Sequence, residues 1–69
     1  MRTTDLDRQL AAAKAAELWP TLTKNERAMI RFGMFPAERM RAAEAEGINQ
    51  HALCLALMDC AKADGGMRA

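Results

Sequence analysis

Apolar side chains recur along this chain at spacings of three and four, in four blocks separated by Pro20, by residues 33–36 and by residues 47–49. That period is the mark of amphipathic helices, and the separators are residues that start or stop them. The pattern predicts helices near 5–18, 24–32, 36–46 and 50–63, with 64–69 a frayed tail beyond the last one. Residues 1–69 then form one all-α, four-helix domain: a first helix followed by a compact three-helix unit of helix-turn-helix character.

The ends of the helices are written in the sequence. Thr4 with Asp7, and Thr23 with Glu26, stand at the spacing of an N-terminal capping pair. Pro36 suits the first position of the third helix, and Asn49 is a good cap for the fourth. Gly33 and Gly47 fall where a helix closes in a left-handed residue, and Ile48 is placed for the apolar contact that often follows. In the first helix Leu6, Leu10 and Ala13 make one stripe, and Ala11, Ala15 and Leu18 another. The run AAAKAA carries so little side-chain bulk that another helix can approach closely. The expected core is Leu10, Leu18, Trp19, Met29, Ile30, Phe32, Met40, Leu53, Leu57 and Cys60.

The fourth helix raises the main question. Over residues 52–61 it reads ALCLALMDCA, with Asp59 the one charged residue. Leu53, Ala56, Leu57 and Cys60 form one face, enough to bind the other helices. Cys54, Leu55 and Met58 lie opposite, with His51 and Lys62 at the ends of that strip. A helix apolar on two sides needs cover on both. A chain of 69 residues has little core to spare, and such domains commonly lean on a disulfide, a metal or a partner. The strip therefore predicts a non-enzymatic binding or regulatory module that works through protein–protein contacts, as a homodimer or on another protein.

Composition narrows the field further. There is no Val, Tyr or Ser, and Ala, Leu, Met, Glu, Arg and Lys dominate, all good helix formers. A formal charge of +1 gives no strong field to favour nucleic acid or an anionic membrane. No leader pattern or long apolar run is present, so the expectation is a cytoplasmic chain without a membrane partner. Cys54 and Cys60, six apart on one helix, lie too far apart along it for a bridge and are expected as reduced, packed thiols. His51, Cys54 and Cys60 lack paired zinc-ligand spacing, and His51 beside Cys54 lacks the further groups acyl transfer requires. No catalytic residue, metal or cofactor is expected.

One resemblance adds an alternative. The stretch ERMRAAEAEGINQHALCLAL resembles a helix-turn-helix segment, with Ala43 at its small position, Gly47 at its turn, Ile48 after it, and Leu53 and Ala56 inward on the second helix. The preceding LTKNERAMI is similar to the opening of the helices that lead into such motifs in bacterial response regulators. Together these cover roughly residues 22–58 and imply a DNA-binding regulator. Glu46 stands where the motif wants an inward hydrophobe, and no Lys or Arg occurs from Asn49 to Ala61. The basic residues that could meet phosphates or an acidic partner lie earlier, at Lys24, Arg27, Arg31, Arg39 and Arg41.

Overall fold

The computed structural model describes residues 4–66, and among them it contains only helices and their connections. They are α1 (Asp5–Leu18), a 3₁₀ turn (Trp19–Thr21), α2 (Lys24–Arg31), α3 (Ala37–Ala45) and α4 (Gln50–Gly66). The all-α, four-helix reading holds. No helix among the described residues is long and apolar enough to cross a membrane.

The helix boundaries follow local hydrogen bonding. At α1 the Thr4 hydroxyl accepts from the Asp7 amide, and the Asp7 carboxylate accepts from the Thr4 amide. At α2 the Glu26 amide donates to the Thr23 hydroxyl at 3.1 Å, and the Thr23 amide donates to Glu26 at 2.8 Å. Each pair satisfies two amide donors that a helix start otherwise leaves without partners. Gly33 (φ +82°) and Gly47 (φ +86°) close α2 and α3 in the left-handed region. The paired bonds Gly33 to Ile30 with Met34 to Met29, and Gly47 to Glu44 with Ile48 to Ala43, complete Schellman turns at both ends.

Four boundaries differ from expectation: α2 and α3 each end one residue early, at Arg31 and Ala45, α3 starts one residue late, and α4 runs on. Pro36 is the cap of α3 and not its first helical residue, with ψ at 116°. The helix starts at Ala37, and Pro36 contributes its carbonyl to the Met40 amide. At the other end α4 runs on to Gly66, three residues past the expected end. Residues 67–69 of the expected tail lie outside the described residues.

The core is built largely from small side chains. Ala11, Ala15, Leu22, Ile30, Ala43, Ala52, Leu53, Leu57 and Ala61 are buried, and only Ile30, Leu53 and Leu57 are both large and fully buried. Trp19, Phe35, Met40, Ile48, Ala56 and Cys60 pack around them, half-buried. The most extensive pairing is α1 on α4. The alanines of α1 permit it, because side chains ending at Cβ let two helix backbones draw together.

Two expected core residues lie outside. Leu10 is 44% exposed and Phe32 is 81% exposed. In α1 the Ala11 and Ala15 stripe faces α4, which turns Leu6 and Leu10 outward. In α2 the burial of Ile30 decides the matter, since two residues along a helix is more than half a turn, and Phe32 is turned away from the core. Leu22, together with Ala43, Ala52 and Ala61, belongs to the core in their place. Glu46, which breaks the helix-turn-helix pattern, has a structural use: its carboxylate accepts from Lys14 of α1 at 2.9 and 3.0 Å.

Candidate interaction surface on α4

The strip singled out on α4 is presented at the surface. Asn49 starts the helix, its side-chain oxygen accepting from the Ala52 amide at 2.9 Å. From that start Leu53, Leu57 and Ala61 turn inward, while His51, Leu55, Met58, Asp59 and Lys62 are exposed and Cys54 is half-buried. Leu55 is 51% exposed and Met58 40% exposed. They form the crest of α4 and lean to opposite shoulders. Leu55 borders a hollow of about 280 Å³ shared with Arg8, Ala12 and Asp59. Met58 borders one of about 180 Å³ shared with Ile30, Arg31 and Lys62.

The two thiols are free and half-buried. Burial pushes the Cys54 thiol above its ordinary range, and burial followed by the Asp59 carboxylate does the same at Cys60. A raised thiol is less readily the thiolate that acts as a nucleophile. Among the described residues, no three His, Cys, Asp or Glu side chains gather as a metal site would require.

The basic residues on α2 and α3 are placed differently from the α4 strip, and three of the five are engaged within the chain. Arg27 donates from Nε to the Trp19 carbonyl and from Nη2 to the Pro20 carbonyl, both at 3.2 Å. Its guanidinium also lies 5.7 Å from the centre of the Trp19 ring. Arg31 pairs with Asp64 of α4. Arg39 reaches Glu26 and the Thr21 carbonyl, each at 3.4 Å. Lys24 and Arg41 are exposed. The structure thus turns the helical spacing of Arg27 and Arg31 into staples between elements.

Two surface features escaped the reading of the sequence. One is an apolar hollow of about 420 Å³ walled by Ala16, Trp19, Pro20, Cys60, Ala63 and Asp64. It forms because α1 ends in a 3₁₀ turn beside α4, which no local pattern announces. The other is the exposed pair Phe32 and Met34, the latter 55% exposed, on either side of Gly33. Here a signal was present: a residue immediately before a helix-closing glycine is a cap, and a cap need not share the buried stripe.

Comparison with family models, with curated proteins and with solved structures finds no match for this chain.

Proposed function

We propose that this chain is a non-enzymatic binding module that acts through protein–protein contacts of the outer face of α4. The observation that carries the reading is the exposure of Leu55 and Met58 on a helix whose opposite side buries Leu53, Leu57 and Ala61. Apolar side chains standing together on a small protein mark contact surfaces. Both are about half exposed, so covering them would add about 1 kcal/mol each, which counts beside the few kcal/mol a core of this size supplies. Met58 suits the role, since its flexible thioether adapts to a partner's contours.

The alternative is a helix-turn-helix regulator of DNA, and it has less support. Of the basic side chains that would meet phosphates, Arg27, Arg31 and Arg39 are held by carbonyls or carboxylates of the chain itself. The crest that would enter the major groove carries Leu55 and Met58, which cannot read base edges by hydrogen bonds.

The test compares the tagged wild-type chain with a Leu55→Asp, Met58→Asp variant, both checked for helical circular dichroism. Whatever protein the wild type retains, another copy included, should be lost from the variant. Equal retention by both would move the function to another surface, with Phe32 and Met34 the next to examine.

A further inference from the structure

Three exposed residues of α4 share a property that points to the occupant of this face. His51, Leu55 and Asp59 are spaced by four and so form a single ridge on the helix surface. Its centre is apolar, one end carries an imidazole and the other a carboxylate. Turning such a ridge through a two-fold axis at its centre exchanges the ends, so the donor of one copy arrives beside the acceptor of the other. We propose that the partner of this surface is a second copy of the chain, with the two α4 helices crossing antiparallel at Leu55 and His51 of each copy hydrogen-bonded to Asp59 of the other. This rests on the reading of α4 as a protein-binding face.

The geometry is an ordinary one. Ridges of residues four apart interdigitate in the commonest class of helix packing, at about −50°, and a two-fold contact uses the same patch on both chains. Leu55 packs beside its own mate on the axis. Met58, on the neighbouring ridge with Cys54 and Lys62, closes over it. An imidazole N–H donates to a carboxylate whether the ring is neutral or charged. The result is an apolar centre with polar ends, as interfaces between chains are built. A parallel arrangement would instead bring the two Asp59 carboxylates together. A standard interface takes about 800 Å² from each partner, about one sixth of the 4998 Å² surface of this chain. The crest alone is too narrow for that, so the shoulders of α1 and α2 at Arg8, Ala12 and Arg31 join the contact.

Sedimentation equilibrium across the micromolar range tests the pairing. Wild type should be a reversible dimer. Asp59→Lys and His51→Asp should each weaken self-association about tenfold or more, because every substitution acts at two symmetric places: the first leaves His51 facing an ammonium with no acceptor, and the second leaves two carboxylates facing. The double variant His51→Asp, Asp59→Lys restores opposite charges across the axis and should recover most of the loss. All three positions of the ridge are exposed, so the folded monomer tolerates these changes, and unchanged circular dichroism checks it. If Leu55→Asp dissociates the dimer but the charge exchange recovers nothing, the antiparallel pairing is overturned while α4 remains the binding face. A wild-type chain that stays monomeric at every concentration overturns the second copy as partner. The α4 face itself then stands or falls with the retention experiment on the Leu55→Asp, Met58→Asp variant.

Discussion

The seam between α1 and α4 and the stretch over residues 19–45 are held by different physics. At the seam Ala11 and Ala15 meet a helix that buries Ala52, Leu53, Leu57 and Ala61, and no polar side chain is buried there or elsewhere among the described residues. Close approach and desolvation do the work, so side-chain volume is the controlling quantity. Over residues 19–45 the helices are eight and nine residues long, too short to persist on their own in water. Leu22, Ile30 and Ala43 anchor them, and polar contacts supply much of the rest: a capping box, three arginines, and closing turns at Gly33 and, just past the stretch, at Gly47. One region should therefore be sensitive to bulk and indifferent to charge, and the other sensitive also to the loss of its polar contacts.

The sharpest way to break that contrast is to enlarge the seam. Ala15 is 1% exposed, so Ala15→Leu forces three extra carbons between two helices already drawn together. Overpacking of this kind costs about 1–3 kcal/mol, and the loss should be insensitive to salt. The same change at Ala42, exposed on α3, should fall within about 0.5 kcal/mol of wild type. Urea midpoints of the two variants, at unchanged slope, make the comparison. Similar losses at both sites would mean that α1 and α4 are less closely packed than the structure shows.

The next effect lies in the polar region. Arg27 ties α2 to the 3₁₀ turn through two carbonyls and the Trp19 ring. Arg27→Ala should cost about 1–2 kcal/mol, from the loss of charge-assisted hydrogen bonds and a cation–π contact. Arg27→Lys keeps the charge and lacks the planar fork, so it should recover only a small part. A solvated basic face would show neither effect, and an unchanged urea midpoint for Arg27→Ala would return Arg27 to that description.

These residues also show what a linear reading can and cannot reach. Caps, closing glycines and helix ends depend on neighbours three to five positions away, and they were legible at Thr4, Thr23, Gly33, Gly47 and Asn49. The exposed crest of α4 was legible for the same reason, because its two faces are separated by helical periodicity alone. The inward stripe of α1 was not. Leu6 with Leu10 is the more apolar choice, and Ala11 with Ala15 wins because the gain comes from closer approach of α4, a property of the pair of helices. The engagement of Arg27, Arg31 and Arg39 was equally hidden, since their acceptors lie on other elements, up to 33 positions away for Arg31 and Asp64. Phe32 failed on a smaller point: α2 closes one residue sooner than its apolar pattern suggests.

The smallest effect is a matter of pH, and it belongs to the polar region alone. The Glu26 carboxyl titrates below its ordinary range, chiefly because the Thr23 amide donates to it and next because Arg39 does, against an opposing contribution from burial. Folding therefore favours the ionised form. The stability this confers is complete above the unfolded value of about 4.3 and disappears as pH falls through the lower, folded value. Glu26→Gln keeps an oxygen that can accept from the Thr23 amide and cannot titrate. Relative to this variant, wild type should be favoured near neutral pH, and its advantage should shrink as urea midpoints are followed downward from about pH 5 through the carboxylate range. Thr23→Ala removes the other half of the box and should cost about 1 kcal/mol at neutral pH. The seam variant Ala15→Leu, by contrast, should track wild type in parallel across the same range, because the residues buried at the seam are all apolar. If Glu26→Gln also ran parallel to wild type, the capping carboxylate would not be the group that links the α2 region to acid, and the polar half of the comparison would rest on the arginines alone.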